Sequence, residues 1–244
     1  MITPEDEKAL ETGTKAVASE AFRPFADLIA KIFGPTAEAI GLGLGAAFRS
    51  WSIKRQVRFW KKTQEYLAEA GVEPLSVPPK ILLPIIQNAS IEDDDSLQDR
   101  WAALLANAAN PNQNPPIMAT YADILRRLSP KSAAFLDVLF DEYLAKIKRL
   151  GRPERWSTKY TDEIYSEAVL YELYTEKIDP DGAHRHVFTT GNLEYHSDFL
   201  LTIENLTSLG IIESRDPRSS AEGIDYFFTM LGLSFVRACR ALKK

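Results

Sequence analysis

The chain has a single cysteine, Cys239, among its 244 residues. One cysteine excludes an intrachain disulfide and a zinc site built from cysteines, and it fits a protein of the reducing cytoplasm. No histidine stands at helical spacing from Cys239. We therefore interpret it as a structural thiol rather than a nucleophile.

Positive charge is also in short supply. Lys and Arg total 29 against 34 acidic residues, so the net charge is −5. A dedicated nucleic-acid-binding protein usually carries a basic face, and we therefore expect no specific nucleic acid partner. The first residues, MITPEDEKALETGTK, are acidic and lack the basic start and apolar core of a secretory signal. We expect a cytoplasmic protein.

Motifs for catalysis and for cofactors are missing as well. The sequence has no GxSxG elbow and no GxxxxGK[ST] phosphate loop, and its GLGLG does not match GxGxxG. The three histidines, His184, His186 and His196, lie close together, but no HExxH helix accompanies them, so we interpret them as loop residues rather than zinc ligands. We predict no catalytic residue, no cofactor and no metal, and hence no enzymatic activity.

No apolar run has the full length of a membrane span. Residues 32–48, IFGPTAEAIGLGLGAAF, contain neither Lys nor Arg, and Glu38 is their only charge. A spanning helix needs about 20 predominantly apolar residues, and Pro35 interrupts this segment. A run in which Lys and Arg alternate with Trp and Phe follows directly, and this composition is typical of a membrane interface.

Residues 24–62 therefore allow two interpretations. In the first they act at a membrane surface, with Trp51 and Trp60 at the boundary and the cations on anionic headgroups. In the second they form a helical hairpin packed within the protein, and the basic run continues as a helix to about Ala70, with Gly71 as its C-cap. The candidate membrane-surface residues are Leu42, Leu44, Phe48, Arg49, Trp51, Lys54, Arg55, Arg58, Trp60, Lys61 and Lys62.

The most informative stretch is residues 78–111, PPKILLPIIQNASIEDDDSLQDRWAALLANAANP. It joins a proline-initiated apolar helix, a cluster of acidic residues and a strongly amphipathic helix. Apolar side chains recur on one face of that last helix, which predicts that Trp101, Leu104 and Leu105 lie in the core. The acids are Glu92, Asp93, Asp94, Asp95 and Asp99.

These acids also have two interpretations. Carboxylates at a helix start favour its positive end and can cap it. The same five residues could instead form an acidic surface that binds a partner, and we retain them as a candidate site. An EF-hand calcium loop is excluded because its midway glycine and final glutamate are absent.

The remaining sequence predicts further helices and one hairpin. A Ser-Pro start and a Gly end predict a long helix from Ser129 to Gly151. Other helices are expected at 117–127, 161–177, about 196–209 and from Thr229 to about Leu242, with a candidate strand at 186–189 and a β-hairpin at 211–228. This order resembles the end of a winged-helix domain. The helix that would enter a DNA groove carries Asp198 and Glu204 and no Lys or Arg, so we interpret the region as a protein-interaction or structural winged helix.

The sequence of residues 78–111 resembles the signature of the abortive infection alpha (Abi-alpha) family, a group of helical bacterial proteins associated with abortive phage infection. The resemblance covers roughly residues 75–235 and is supported by three further segments, ADILRRLSP, LTSLGIIE and FTMLGLSFV. It implies a mostly helical fold and a role in phage defence. It supplies no catalytic residues.

We therefore predict a mainly α fold, with a helical bundle followed by a winged-helix-like C-terminal region that has one β-hairpin. Three regions are expected: 1–71, 72–150 and 151–244. The predicted function is non-enzymatic abortive-infection-type defence, acting at the membrane through residues 24–62 with peripheral attachment to the inner membrane. The alternative is a soluble interaction module, either a sensor or an antitoxin-like regulator. We expect a protein partner or a homo-oligomer, with an anionic membrane surface as a further candidate; a hydrolytic toxin has no positive sequence feature.

Overall fold

The computed structural model describes residues 23–34, 51–150, 165–180, 187–190, 193–215 and 224–241. The contact pattern divides the chain into two units, Met1–Arg126 with Ala238–Lys244, and Arg127–Arg237. The described part of the first unit contains a 3-10 turn, Arg23–Phe25, and then α1 Ala26–Phe33, α2 Ile53–Ala70, α3 Pro79–Ile91, α4 Asp95–Ala109 and α5 Thr120–Arg126. The second unit contains α6 Pro130–Arg149, β1 Tyr165–Ser166, α7 Glu167–Lys177, β2 Val187–Thr190, β3 Leu193–His196, α8 Ser197–Ser208, β4 Ile212–Arg215 and β5 Asp225–Phe228, and α9 spans Met230–Ala238. The protein is mainly helical, as predicted.

Local capping chemistry explains where the longer helices begin and end. The side chain of Ser52 caps α2 by accepting a hydrogen bond from Arg55 N, and Gly71 ends that helix at a φ of +66°. Asp94 caps α4 through its Oδ1, and Ser129 caps α6 immediately before Pro130. The boundaries that the sequence predicted at Gly71, at the acids before α4 and at Ser129 are confirmed, whereas the Ser52 cap was not anticipated.

The core of the first unit is built on α2 and α4. Phe59, Trp60, Trp101, Leu104 and Leu105 are fully buried, which confirms the predicted core positions of Trp101, Leu104 and Leu105. Apolar residues of α3 join the same core, and that helix runs on through Pro84 as a single element. The interaction of α2 with α4 therefore dominates the packing of the described part of this unit.

A polar side chain anchors the C-terminal end of the chain in the first unit. The Nδ2 of Asn107 in α4 donates to the carbonyls of Ala238 and Arg240, at 3.0 and 3.1 Å. Asn107 is buried, so these bonds satisfy a group that would otherwise lie unpaired in the core. The contact cannot be read from the sequence because its partners lie more than 130 positions away.

The second unit combines helices with two small antiparallel sheets. The strand order of the larger sheet is β1–β5–β4, and Tyr226 of β5 lies opposite Tyr165 and Ser214. This confirms the expected hairpin at 211–228. Its core is aromatic: the ring centroids of Phe135 and Tyr174 lie 5.2 Å apart, and those of Tyr174 and Phe199 lie 5.6 Å apart.

Some expectations for this part of the chain were incomplete. The helix expected at 161–177 begins at Glu167, because Tyr165 and Ser166 form β1 on the edge of β5. The candidate strand at 186–189 is β2, and its partner β3 was not anticipated. The final helix ends at Ala238 rather than near Leu242.

Candidate functional site

Two of the candidate surfaces, the basic run of α2 and the acids that open α4, lie against each other. The Nη1 of Arg55 donates to the Glu92 carbonyl at 3.0 Å and forms an ion pair with the Asp93 carboxylate. Its Nη2 also donates to the Asp93 carbonyl at 3.3 Å. The cation is therefore held by both the backbone and the side chain of the acidic turn between α3 and α4.

Arg58, one helical turn further along α2, joins two more acids. It forms an ion pair with Asp95, and its Nη2 lies 3.0 Å from Oδ1 of Asp99. Partial burial of the guanidinium opposes its charge, but Asp99 and Asp95 outweigh that effect and raise the pKa of Arg58 above its ordinary value. We call the ion pairs of Arg55 and Arg58 with Asp93, Asp95 and Asp99 the α2–α4 charge network.

The two acids outside this network have local structural roles. Asp94 Oδ1 accepts from Ser96 N at 2.9 Å and from Leu97 N at 3.0 Å. The hydrogen bonds of Ser96 and Leu97 lower the pKa of the Asp94 carboxyl. Oε1 of Glu92 accepts from Asp94 N at 3.0 Å. The acid cluster at residues 92–99 thus both caps α4 and pairs with the two arginines of α2.

The other candidate membrane-surface residues divide into three groups. Lys54 and Lys61 are exposed, and Lys62 lies 3.2 Å from Glu65, whose hydrogen bond raises the pKa of Lys62. Trp51 and Trp60 are buried, so neither indole lies at a surface in this arrangement. Leu42, Leu44, Phe48 and Arg49 fall outside the described residues.

The aromatic contacts explain why these indoles are buried. The ring of Phe59 lies 5.1 Å from Trp51 and 5.4 Å from Trp60, edge to face in both cases. Such pairs contribute about 0.5–1.5 kcal/mol each beyond their area burial. Trp51, Phe59 and Trp60 therefore form an aromatic cluster that belongs to the core.

Several buried polar atoms of α2 and α4 have no hydrogen-bond partner in the described part of the chain. Gln98 is 1% exposed, and both its Nε2 and its Oε1 are unpaired. The indole N–H groups of Trp60 and Trp101 are unpaired as well. A buried unsatisfied group costs about 1–3 kcal/mol, so these atoms weaken an otherwise well-packed pair of helices.

A polar pocket in the second unit was not anticipated from the sequence. It has a volume of about 310 Å³ and is lined by Arg127, Ser129, Lys131, Ser132, Asp198, Leu201, Thr202 and Asn205. The i, i+4 spacing of Arg127 and Lys131 around the Ser-Pro helix start was the one signal in the sequence. Its other wall comes from α8, and only the tertiary fold brings the two together.

The remaining candidates can be placed briefly. His184 and His186 lie outside the described residues, and His196 is the last residue of β3. Cys239 is buried, in keeping with a structural thiol. Within the described ranges, no group of His, Cys, Asp and Glu is arranged to hold a metal ion. Across the same ranges, every helix falls short of the length and apolar character that crossing a bilayer demands.

The described residues thus define a mainly helical protein with two small antiparallel sheets and a basic helix whose two arginines are paired with acids. The chain belongs to the abortive infection alpha family, whose model matches residues 54–239. The matched range includes the α2–α4 charge network and the pocket of the second unit. Membership associates the protein with abortive-infection-type defence. No curated protein and no solved structure showed significant similarity to the chain.

Proposed function

We propose that this protein is a non-enzymatic abortive-infection-type defence protein that acts by binding a protein partner. One observation carries the proposal: the two arginines of α2 and the indoles of Trp51 and Trp60, which would dock this segment on a membrane, are committed to contacts within the first unit. Arg55 and Arg58 are held by acids, and Trp60 is fully buried. A surface so occupied favours a soluble binding protein over one that rests on lipid.

The charge balance supports the same proposal. α2 carries five basic residues among positions 54–62, and the start of α4 brings five acids to the same side of the unit. Each Lys or Arg near an anionic membrane is worth about 1 kcal/mol, and each acid is repelled by the same field. Because the two sets offset one another, the intact network offers little net attraction to a lipid surface.

The second unit supports a partner-binding role. Helix α6, strand β1, helix α7, helix α8 and the hairpin β4–β5 occur in this order, with β2 and β3 between α7 and α8, and β1 pairs with β5. This arrangement supports the proposal of a winged-helix-like module. The candidate recognition helix α8 carries Asp198 and Glu204 and no Lys or Arg. Leu201 on the same helix is 62% exposed. A helix with acidic side chains and an exposed leucine is better suited to binding a protein surface than to binding the phosphate backbone of a nucleic acid.

Membrane action after release of α2 is the second candidate. The observation that favours it is the exposure of the acids, since the side chains of Asp93 and Asp95 are 89% and 73% exposed. Ion pairs this exposed are typically worth about 0–1 kcal/mol, so an anionic surface could compete for the arginines. The unpaired Gln98 and indole N–H groups lower the cost of separating the helices further.

Flotation with anionic liposomes, combined with a phage-protection assay, separates the two candidates. We compare the parent, Arg55→Gln with Arg58→Gln, and Arg55→Glu with Arg58→Glu; the Gln pair avoids placing new acids beside Asp93 and Asp99. Lys80→Glu with Arg126→Glu is the matched control, because both residues are exposed in the first unit and neither takes part in the network. We expect the parent to remain unbound and the folded Gln variant to protect as well as the control. Flotation of the parent, lost together with protection in the folded arginine variants, would overturn the proposal.

A further inference from the structure

The pocket between the start of α6 and α8 contains a cation that has no partner. Arg127 is exposed and forms no ion pair or hydrogen bond within the described part of the chain. The neighbouring cation differs, because Lys131 Nζ lies 2.8 Å from Oδ2 of Asp198. That hydrogen bond raises the pKa of Lys131, which therefore stays protonated. The pocket thus offers one free and one shared positive charge.

Hydroxyl groups in the same pocket have hydrogen-bonding capacity left over. Oγ of Ser129 and Oγ of Ser132 are 2.9 Å apart, and only one of them can donate to the other. The second hydroxyl hydrogen of this pair is therefore available to a ligand. Ser132 is 3% exposed, so its position is fixed by packing. The backbone N–H of Ser132 is already bonded to Ser129 Oγ, so the helix end itself is occupied.

The opposite wall supplies an unsatisfied acceptor. Oδ1 of Asn205 is buried and has no partner in the described residues. The hydroxyl hydrogen of Thr202 beside it is already used, because Oγ1 of Thr202 donates to the Asp198 carbonyl at 2.7 Å. A ligand that brings a hydroxyl or amine donor to Asn205 would remove the cost of this orphaned oxygen. The pocket therefore fits a ligand that has an anionic group at one end and a hydrogen-bond donor at the other.

We propose that this pocket binds a small phosphate monoester that carries hydroxyl groups. A guanidinium with free N–H groups pairs with phosphate oxygens in a two-pronged geometry, and the spare serine hydroxyl donates to a third oxygen. A ligand hydroxyl then donates to Oδ1 of Asn205, once rotation of the side-chain amide brings this buried atom into the pocket. The volume of about 310 Å³ lies at the lower end of ligand pockets, which selects a small soluble metabolite over a large nucleotide or a folded partner.

Asp198 and Arg127 test the proposal because their substitutions are expected to change the affinity in opposite directions. The carboxylate of Asp198 repels a phosphate dianion and occupies Lys131, so Asp198→Asn should tighten binding by removing the repulsion and freeing the lysine. Arg127→Ala removes the free cation and should weaken binding. Both residues are exposed, so neither change disturbs the core. General damage to the pocket would weaken binding in both variants and could not produce opposite effects.

The experiment is calorimetric titration of the full chain with glycerol 1-phosphate, inorganic phosphate and acetate at constant ionic strength. We expect saturable binding of glycerol 1-phosphate, about tenfold weaker in Arg127→Ala, since one charge-assisted contact is lost. Asp198→Asn should bind more tightly than the parent, and Asn205→Ala should lose the preference for glycerol 1-phosphate over inorganic phosphate. Arg126→Ala is the matched control and should bind as the parent does.

Three results would overturn the proposal. Absence of saturable binding to either phosphate compound would remove the site. Equal weakening by Arg126→Ala and Arg127→Ala would assign the effect to general surface charge. Tighter binding of acetate than of phosphate would show that the pocket selects carboxylates. None of these outcomes depends on whether α2 binds lipid, so failure here leaves the proposed function standing.

Discussion

The guanidinium of Arg58 in α2 lies 3.0 Å from the carboxylate of Asp99 in α4. These two residues belong to segments that each had a separate functional interpretation, one as a membrane surface and the other as a partner-binding acid cluster. Their pairing means that a change to either segment alters the charge available on the other. The network therefore has to be tested as a unit.

A double-mutant cycle measures the coupling of this pair. We expect Arg58→Ala, Asp99→Ala and the double variant to give a coupling energy of about 0.2–1 kcal/mol, because both side chains are nearly a third exposed. The free energy of unfolding from urea titration provides the measurement. Added salt should reduce the coupling, since solvent-exposed ion pairs are screened. A salt-independent coupling well above that range would indicate that the pair is part of the core.

The N-cap of α4 is the second prediction. Asp94→Ala removes the acceptor of two backbone N–H groups, and we expect it to cost about 1 kcal/mol of stability. Asp94→Asn should retain most of the cap. Asp93→Ala is the control, because that carboxylate is 89% exposed and, among the described residues, pairs only with Arg55. An equal loss in Asp93→Ala and Asp94→Ala would contradict a capping role.

The same carboxylate predicts a pH dependence. Its pKa is lowered in the folded state, so the stabilisation is present above the ordinary pKa of about 4 and is lost as the pH falls through the lowered value. Asp94→Asn cannot titrate and should lack this component. The measurement is the difference in urea midpoint between parent and Asp94→Asn across the acid range. A constant difference over that range would show that the cap does not depend on charge.

Trp101 tests the core of the first unit. Its side chain is fully buried in α4. We expect Trp101→Ala to lower the free energy of unfolding by about 3–5 kcal/mol, the usual cost of removing a large packed side chain. Leu201→Ala is the control, because its side chain is 62% exposed. An unchanged denaturation midpoint for Trp101→Ala would contradict this core.

The features of this protein that depend on local chemistry could be predicted from the sequence, whereas those that depend on long-range contacts could not. The Asp94 and Ser129 caps act within three residues of their own position, so the sequence alone indicated a cap at each of these helix starts. Strand β1 is two residues long and exists because β5 offers it a partner, which no local pattern encodes. Similarly, Arg58 and Asp99 are 41 positions apart, and their pairing depends on how α2 packs on α4. The pocket at Arg127 was missed for the same reason.

A glycine in the second unit offers a steric test. A Cβ placed on Gly232 in α9 would lie 2.1 Å from the backbone oxygen of Ile211. Backbone atoms cannot rotate away, and Thr229 fixes the same turn by donating to Gly210 O at 2.6 Å. We expect Gly232→Ala to destabilise the protein by about 3 kcal/mol, the upper end of the usual overpacking cost. Ser234→Ala, one position beyond Leu233 on the same helix, is the control, and a Gly232→Ala variant as stable as that control would show that the turn can open.

The last prediction concerns Tyr226 in β5 and high pH. Burial, helped by the negative charge of Glu167, raises the pKa of Tyr226 to about 12. A free tyrosine has a pKa of about 10, so the folded state holds its proton more tightly than the unfolded state does. The resulting stabilisation is complete below about pH 10 and is lost as the pH rises towards about 12, with a total of no more than about 3 kcal/mol. Tyr226→Phe cannot ionise, so its urea midpoint should fall less than that of the parent between about pH 9 and about pH 11. The other tyrosines titrate in both proteins, and the difference between the two curves isolates this residue. Parallel curves would mean that the phenol ionises in the folded strand without cost and that β5 is open to water at this position.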